Sequence, residues 1–423
     1  MADSILTTLS KDLNDYWAST TTAAGAAGST TIVDTALMAQ VSDWITDKTY
    51  TRITSGACDG EERKITALSS STLTFLPHSA QIASGVTYEI HRVFTASEKR
   101  TALLHAVKDC FPWVYEKVRD ESKNSGNWLL NGDVEKWTVA TTPDYWVASG
   151  LTPAANTTAT NFYRGAKSCL LAGSAGYIEQ SWTQNDDLKF LRGQTVKFSG
   201  VGKCDTLNSL RLAIYDGTFT FSDYNPVGSV WTDPEYDWYV EKTIAATAGT
   251  VSFRVYHDNA AASSYIDDLR VNGPPYTRVW IGDLGLAQDR PISVSYSSQW
   301  NLRQAQWIPA HNVINEYNGF IDLPNVPANM NLLIRGYGYL DFLVAGLPST
   351  SWTATLAIDH PQTTIVTAAA AKWLYQQMMQ PNMVSGDIGP FQQGYQFWSA
   401  EFERRKDRFH MPEIPIKLNW GQR

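Results

Sequence analysis

From residue 127 to residue 273 the sequence never holds a helical period; apolar and polar residues alternate in short runs broken by Gly, Asn and Asp. Thr195-Val196-Lys197-Phe198-Ser199, Leu210-Arg211-Leu212-Ala213-Ile214-Tyr215 and Val251-Ser252-Phe253-Arg254-Val255-Tyr256 are such runs. A period of two puts alternate side chains on one face, so each run reads as a strand with one buried and one wet side. Many short runs of this kind describe an antiparallel two-sheet sandwich. The chain on either side mixes helical and strand patterns. The economical arrangement is a β-sandwich inserted into another domain.

The ends of this stretch carry a resemblance. It opens with Asn127-Trp128-Leu129-Leu130-Asn131-Gly132-Asp133-Val134-Glu135-Lys136-Trp137 and closes with Tyr265-Ile266-Asp267-Asp268-Leu269-Arg270-Val271. Both ends resemble jelly-roll carbohydrate-binding modules, with Val134 where that family usually has Phe. The resemblance implies that the first and last strands lie side by side, so that a host domain accepts the module at a surface loop. It implies a structural calcium held by Glu135 and Asp268 with Asp133 and Asp267 nearby, since that ion takes about 6–8 oxygen ligands. It also implies sugar contact through aromatic faces. Trp146, Tyr163, Trp231, Tyr236, Trp238 and Tyr239 are the candidates.

At 423 residues the chain has room for two or three cores. Charged residues are 18% and aromatic residues 12%, a balance suited to burying surface against partners. A net charge of −8 argues against a nucleic-acid surface. No apolar run approaches the ~20 residues of a membrane span. Met1-Ala2-Asp3-Ser4 lacks the basic-then-apolar pattern of a secretion signal, so synthesis and folding are expected in a cytoplasm. Cys58, Cys110, Cys169 and Cys204 show no Cys-x-x-Cys spacing and are expected as reduced buried thiols, with a Cys169–Cys204 bridge as the alternative.

Ahead of the sandwich, Ile5, Leu6, Leu9, Leu13, Tyr16 and Trp17 recur at helical spacing over 4–17. Residues 18–31 read as a linker or loose hairpin. A second helix is expected from Asp34, carrying Leu37, Met38, Val41, Trp44 and Ile45. Strands follow at 50–54, 63–67, 72–76 and 86–94. Thr95-Ala96-Ser97-Glu98 is a capping box that starts a helix ending before Pro112. The polar segment 119–126 reads as a link into the sandwich. Beyond it, strands are expected at 277–281, 292–296, 307–309, 319–323 and 331–337, then a helix after Pro361 and a last one carrying Phe391, Tyr395, Trp398, Phe402 and Phe409. The tail from Met411, with Pro412 and Pro415, reads as extended.

The order of elements in the two flanks resembles the neck or head–tail adaptor proteins of tailed bacteriophages, through Gly85-Val86-Thr87-Tyr88-Glu89-Ile90, Arg335-Gly336-Tyr337 and the two closing helices. The fold class expected is therefore α+β: a helical/β adaptor-like domain from 1–126 and 274–423, interrupted by an all-β jelly-roll sandwich at 127–273. That resemblance implies a virion structural protein, assembled in the host cytoplasm as a homo-oligomer ring of about twelve subunits beneath the portal. Its partners would be portal and tail or nozzle proteins and host surface glycans, with DNA passing through the ring without sequence-specific contact and no membrane. Trp373, Met378, Trp398, Phe402, Phe409, Ile414, Ile416, Leu418 and Trp420 are the expected assembly contacts.

No catalytic pattern appears. The flanks show no βα repeat for a barrel, and Glu61-Glu62 reads as a solvated turn rather than an acid pair. Gly-x-Ser-x-Gly, His-Glu-x-x-His and phosphate-loop motifs are absent, and the seven histidines are scattered without ligand spacing. The chain is therefore expected not to be an enzyme. A tail-fibre receptor binder and a secreted carbohydrate-binding or hydrolytic accessory protein are the alternatives to the connector.

Overall fold

The computed structural model describes residues 2–39, 49–225, 228, 231, 238–298, 306–316, 318–340, 358, 360–382 and 388–408. The chain divides into two compact units, one from Met1–Glu116 with Tyr339–Ile414, the other from Lys117–Gly338.

In the first unit, α1 (Ala2–Asp12) buries Ile5, Leu6 and Leu9. The helical period was expected to run to Trp17, but Asn14 takes φ 51° and turns the chain into β1 (Tyr16–Thr20). Trp17 then faces Ile90 across a strand pair. β2 (Thr31–Val33), β3 (Tyr50–Ile53), β4 (Glu62–Ser69), β5 (Thr72–Phe75) and β6 (Thr87–His91) complete a sheet in the order β1-β6-β3-β4-β5-β2. Its core is Ile32, Ile53, Ile65, Leu73, Tyr88 and Ile90. The linker expected at 18–31 thus begins and ends in strands. The helix expected from Asp34 is, where described, a 3-10 turn over Thr35–Ala39; Val41, Trp44 and Ile45 lie outside the described residues.

α2 (Ala96–Asp109) starts at the expected capping box: Thr95 Oγ1 accepts the Glu98 amide at 3.0 Å, and the Glu98 carboxylate accepts the Thr95 amide at 2.8 Å. α3 (His360–Asn382) and α4 (Gly389–Arg408) close the unit. The alanines at 368–371 are small enough for neighbouring helices to approach α3, and Ile365, Val366 and Leu374 join Leu103, Ala106 and Val107 in one core. Trp398 and Phe402, expected at subunit contacts, are 6% and 8% exposed in that same core. Trp373 and Met378 pack against it half-buried, Trp373 stacking on His105 at 4.9 Å. Phe409, Ile414, Ile416, Leu418 and Trp420 lie outside the described residues.

The second unit opens with β7 (Glu116–Asp120). The polar stretch expected as a link at 119–126 therefore starts inside a strand, at Arg119 and Asp120, and continues as the buried run from Ser122 to Ser125. The sandwich follows as β8 (Val147–Ser149), β9 (Ala154–Asn156), β10 (Ser168–Ala172), β11 (Gly176–Ser181), β12 (Thr195–Cys204), β13 (Leu210–Tyr215), β14 (Phe219–Phe221), β15 (Tyr239–Thr243), β16 (Ser252–His257) and β17 (Ser263–Asn272). These strands form two antiparallel five-stranded sheets, β15-β12-β17-β10-β9 and β14-β13-β16-β11-β8. Inward side chains of both meet in one core, with Phe198 edge-on to Phe253 at 5.4 Å.

The ends of the sandwich lie together: the Trp128 amide donates to Val271 O at 3.0 Å, and Asn127 Nδ2 donates to Leu269 O at 2.9 Å. Gly132 is needed here, because a Cβ on it would stand 2.3 Å from Leu269 O. β18 (Arg278–Trp280), β19 (Leu286–Ser297), β20 (Ile308–Pro309), β21 (Ile314–Asn315), β22 (Phe320–Asp322) and β23 (Asn331–Gly338) then build two small sheets, β18-β22-β21 and β20-β19-β23-β7. All four cysteines are buried thiols; Cys169 and Cys204 sit on β10 and β12, on either side of β17, unbridged.

Candidate functional site

The outer face of the sheet β14-β13-β16-β11-β8 is where aromatic rings gather in the open. Inward positions of its strands, such as Leu212, Ile214, Phe253, Val255 and Ile178, are buried. The alternate positions therefore point out, and they carry Tyr177 and Glu179 on β11, Arg254 and Tyr256 on β16, Arg211 and Tyr215 on β13, and Phe219 and Phe221 on β14. The register makes them neighbours: Tyr177 pairs with Tyr256, Glu179 with Arg254, Arg211 with Tyr256, and Tyr215 with Phe219.

Ring centroids stand 5.1 Å apart for Tyr177–Tyr256, 5.6 Å for Phe221–Tyr256, 5.4 Å for Phe219–Phe221 and 4.5 Å for Tyr215–Phe219. Two guanidinium groups lie among them. Arg254 is 4.5 Å from the Tyr177 ring and 5.0 Å from Phe219, and its Nε donates to Glu179 at 2.7 Å. Arg211 is 4.2 Å from Phe221, and its Nε stands 2.6 Å from Asp258, which also accepts from the Tyr224 hydroxyl at 3.1 Å. Each arginine is held flat by a carboxylate and by cation–π contact. Phe219 and Phe221 nonetheless remain 43% and 40% exposed. A pre-ordered row of ring faces flanked by fixed charged donors and acceptors can stack on flat apolar surfaces while hydrogen-bonding polar groups around them.

Most residues expected to touch sugar are elsewhere. Trp146 and Trp238 are core side chains, and Trp146 Nε1 donates to Asn131 O at 3.1 Å. Tyr163 and Trp231 are half-buried against each other, 6.2 Å between centroids. Tyr239 is exposed on β15, in the other sheet, under Lys197 Nζ at 4.2 Å. Tyr236 lies outside the described residues.

The four acids expected around calcium are engaged by protein donors. Asp268 takes Arg270 at 2.5 and 2.8 Å and Asn124 Nδ2 at 2.7 Å, with Arg164 Nε at 3.6 Å. Burial works to raise its pKa, but Arg270 and Arg164 outweigh that and hold it below the ordinary range. Asp267 accepts the amides of Tyr163, Arg164 and Asp268. Asp133 accepts from Lys123 Nζ at 2.9 Å and Ser122 Oγ at 2.6 Å. Glu135 accepts the Ala166 and Lys167 amides at 2.7 and 3.0 Å, and its burial pushes its pKa up to about 7. Among the described residues no three of these carboxylates gather within 4.8 Å. Lys123, Arg164 and Arg270 already bring the positive charge, so this arrangement does not fit a calcium ion.

Reading by sequence missed the aromatic face and the buried Lys123. The face was written in the outward positions of the runs already singled out, Arg211 and Tyr215 in one and Arg254 and Tyr256 in another. Lys123 carried no such signal: it is buried where Asp133 and Asp283, the latter 160 residues further on, both reach it. Glu61 and Glu62, expected as a solvated turn, are half-buried and held by protein donors. Glu61 meets His78 and Ser79, and Glu62 accepts the Ala96 and Ser97 amides at the start of α2.

No family model and no curated protein matches the chain. Solved structures similar to about a third of it are jelly-roll carbohydrate-binding modules and a phage tailspike domain. One is TmCBM61 in complex with β-1,4-galactotriose, 16% identical over 34% of this chain and 97% of that one, TM-score 0.26. Another is the CBM22-1 xylan-binding domain of Paenibacillus barcinonensis Xyn10C, 14% identical over 36% and 98%, TM-score 0.27. A third is the enzymatically active domain of tailspike protein 4 of bacteriophage CBA120, 13% identical over 35% and 21%, TM-score 0.25. The neck-adaptor resemblance finds no support among them. Likenesses this distant say nothing about a ligand. Among the described residues, no helix is long and apolar enough to cross a membrane.

Proposed function

We propose that this protein binds carbohydrate on the outer face of the sheet β14-β13-β16-β11-β8. The observation that carries the reading is the row Tyr177, Tyr256, Phe221 and Phe219, with Phe219 and Phe221 exposed, Tyr177 and Tyr256 half-buried beside them, and Arg254 and Arg211 packed on the rings. A ring face left in water is costly unless a partner covers it, and the C–H face of a pyranose is such a partner. Glu179, Asp258 and the two guanidinium groups supply donors and acceptors beside the rings for sugar hydroxyls. From β11 to β14 the row crosses three inter-strand gaps, about 14 Å, which suits an extended ligand. The connector role expected from the chain ends is not carried into this reading: Trp398 and Phe402 are core residues, and the tail lies outside the described residues.

The test is retention of the full chain on gels cast with a panel of soluble plant, microbial and host-surface polysaccharides. Slowed migration with at least one, reversed by free oligosaccharide of that polymer, is expected. Unaltered migration with all of them would overturn the proposal.

A further inference from the structure

We propose that Cys58, Glu61 and His78 form a site for a zinc-like divalent cation in the first unit. One thiol sulfur, one imidazole nitrogen and one carboxylate oxygen lie within 4.8 Å of one another, and both Cys58 and His78 are buried. Ligands at ~2.0–2.3 Å from a tetrahedral ion stand within roughly 4 Å of each other, so small rotations close the set. The donor chemistry selects the metal: thiolate and imidazole favour zinc over calcium or magnesium, which take oxygen.

Two short loops bring the groups together. Cys58 and Glu61 sit on the turn between β3 and β4, shaped by Gly56 and Gly60 at φ 80° and 85°, where the Glu61 amide donates to Cys58 O at 3.1 Å. His78 follows β5, its amide fixed by Ser29 O at 2.9 Å and its ring set edge-on to Phe75 at 4.8 Å. His78 Nδ1 lies 3.0 Å from Glu61 Oε2, while Nε2 is buried without a hydrogen-bond partner.

Arg63 Nη2 also holds Glu61 at 3.1 Å, but the same guanidinium donates to Pro77 O at 3.0 Å and Glu62 O at 2.9 Å. It keeps two acceptors if Glu61 turns to a metal. Ser79 donates to Glu61 through its hydroxyl and, at 3.1 Å, its amide, steadying the carboxylate from outside. With three protein ligands, a fourth position is left for water or a ligand from another molecule.

The full chain, stripped with chelator, should bind one equivalent of Co²⁺ with a thiolate-to-cobalt charge-transfer band, and Zn²⁺ should displace it. The band should be lost in Cys58→Ser and in His78→Gln and kept in Cys204→Ser, whose thiol lies in the sandwich. If Cys58→Ser fails to fold, judged by circular dichroism, His78→Gln decides alone. No band in the unaltered chain, or a band that survives His78→Gln, would overturn the proposal.

Discussion

Arg254 is held by Glu179 across the β11–β16 register, with 2.7 Å between Nε and Oε2, and that pair fixes the guanidinium against Tyr177 and Phe219. Both side chains are partly exposed, so the pair itself contributes little to folding, about 0.2–1 kcal/mol. Its value lies in order on the face. Glu179→Ala should leave the melting temperature almost unchanged yet weaken polysaccharide retention, as Arg254 loses its fixed position. A variant that melts several degrees lower while binding normally would assign the pair to stability instead.

The Asp268 network is the reverse case. Its carboxylate is buried with Arg270 and Arg164, so removing it strands two buried cations. Asp268→Ala should cost about 3–5 kcal/mol in denaturant unfolding. Chelator should leave the sandwich transition where it is, because Lys123, Arg164 and Arg270 pair with Asp133 and Asp268, and backbone amides occupy Glu135 and Asp267. A chelator-dependent shift of the sandwich transition would contradict this account.

Glu135 gives a pH signature. Burial raises its pKa from 4.5 to about 7 in the folded chain, so between those values the folded state holds a proton that the unfolded state has released. Stability from this group is present below pH ~4.5 and falls as pH rises towards 7, by on the order of 3 kcal/mol in all. Glu135→Gln keeps an oxygen for the Ala166 and Lys167 amides and removes the titration. It should flatten that slope and raise stability at pH 7.5, measured by urea unfolding at several pH values.

The sequence showed the sandwich plainly because its strands alternate and its turns carry Gly, Asn and Asp. The capping box at Thr95 was equally plain, being a local device complete within four residues. What it hid was decided by tertiary contact. Tyr16 and Trp17 continue a helical pattern, yet pairing with β6 makes them a strand. Trp146 and Trp238 looked like loop platforms because nothing local says that a core closes over them. Residues 119–126 looked like a linker because two of its polar side chains are answered by partners far along the chain: Lys123 by Asp283, Asn124 by Asp268.

That last point changes where the chain can be cut. Tyr276 donates to Asp187 at 2.7 Å, Arg278 reaches the same carboxylate, and the Trp128 and Tyr276 rings stack at 4.2 Å, so the small sheets are joined to the sandwich. Replacing residues 117–338 with a Gly/Ser linker should leave the chain-end unit folding cooperatively by calorimetry. Replacing 127–273 alone should expose Lys123 and Asp283 and give a less stable, aggregating product; equal behaviour of the two deletions would count against this division.

The central claim is that the β14-β13-β16-β11-β8 face, and not the opposite sheet, binds carbohydrate. The direct measurement is the dissociation constant, by affinity electrophoresis on whichever polysaccharide retains the unaltered chain, for Tyr256→Ala and Phe219→Ala beside Tyr239→Ala. Loss of one stacking face is expected to cost about 0.5–1.5 kcal/mol, a few-fold to tenfold weaker binding, for Tyr256→Ala and Phe219→Ala, with Tyr239→Ala unchanged. Full retention by Tyr256→Ala and Phe219→Ala, or loss confined to Tyr239→Ala, would contradict it.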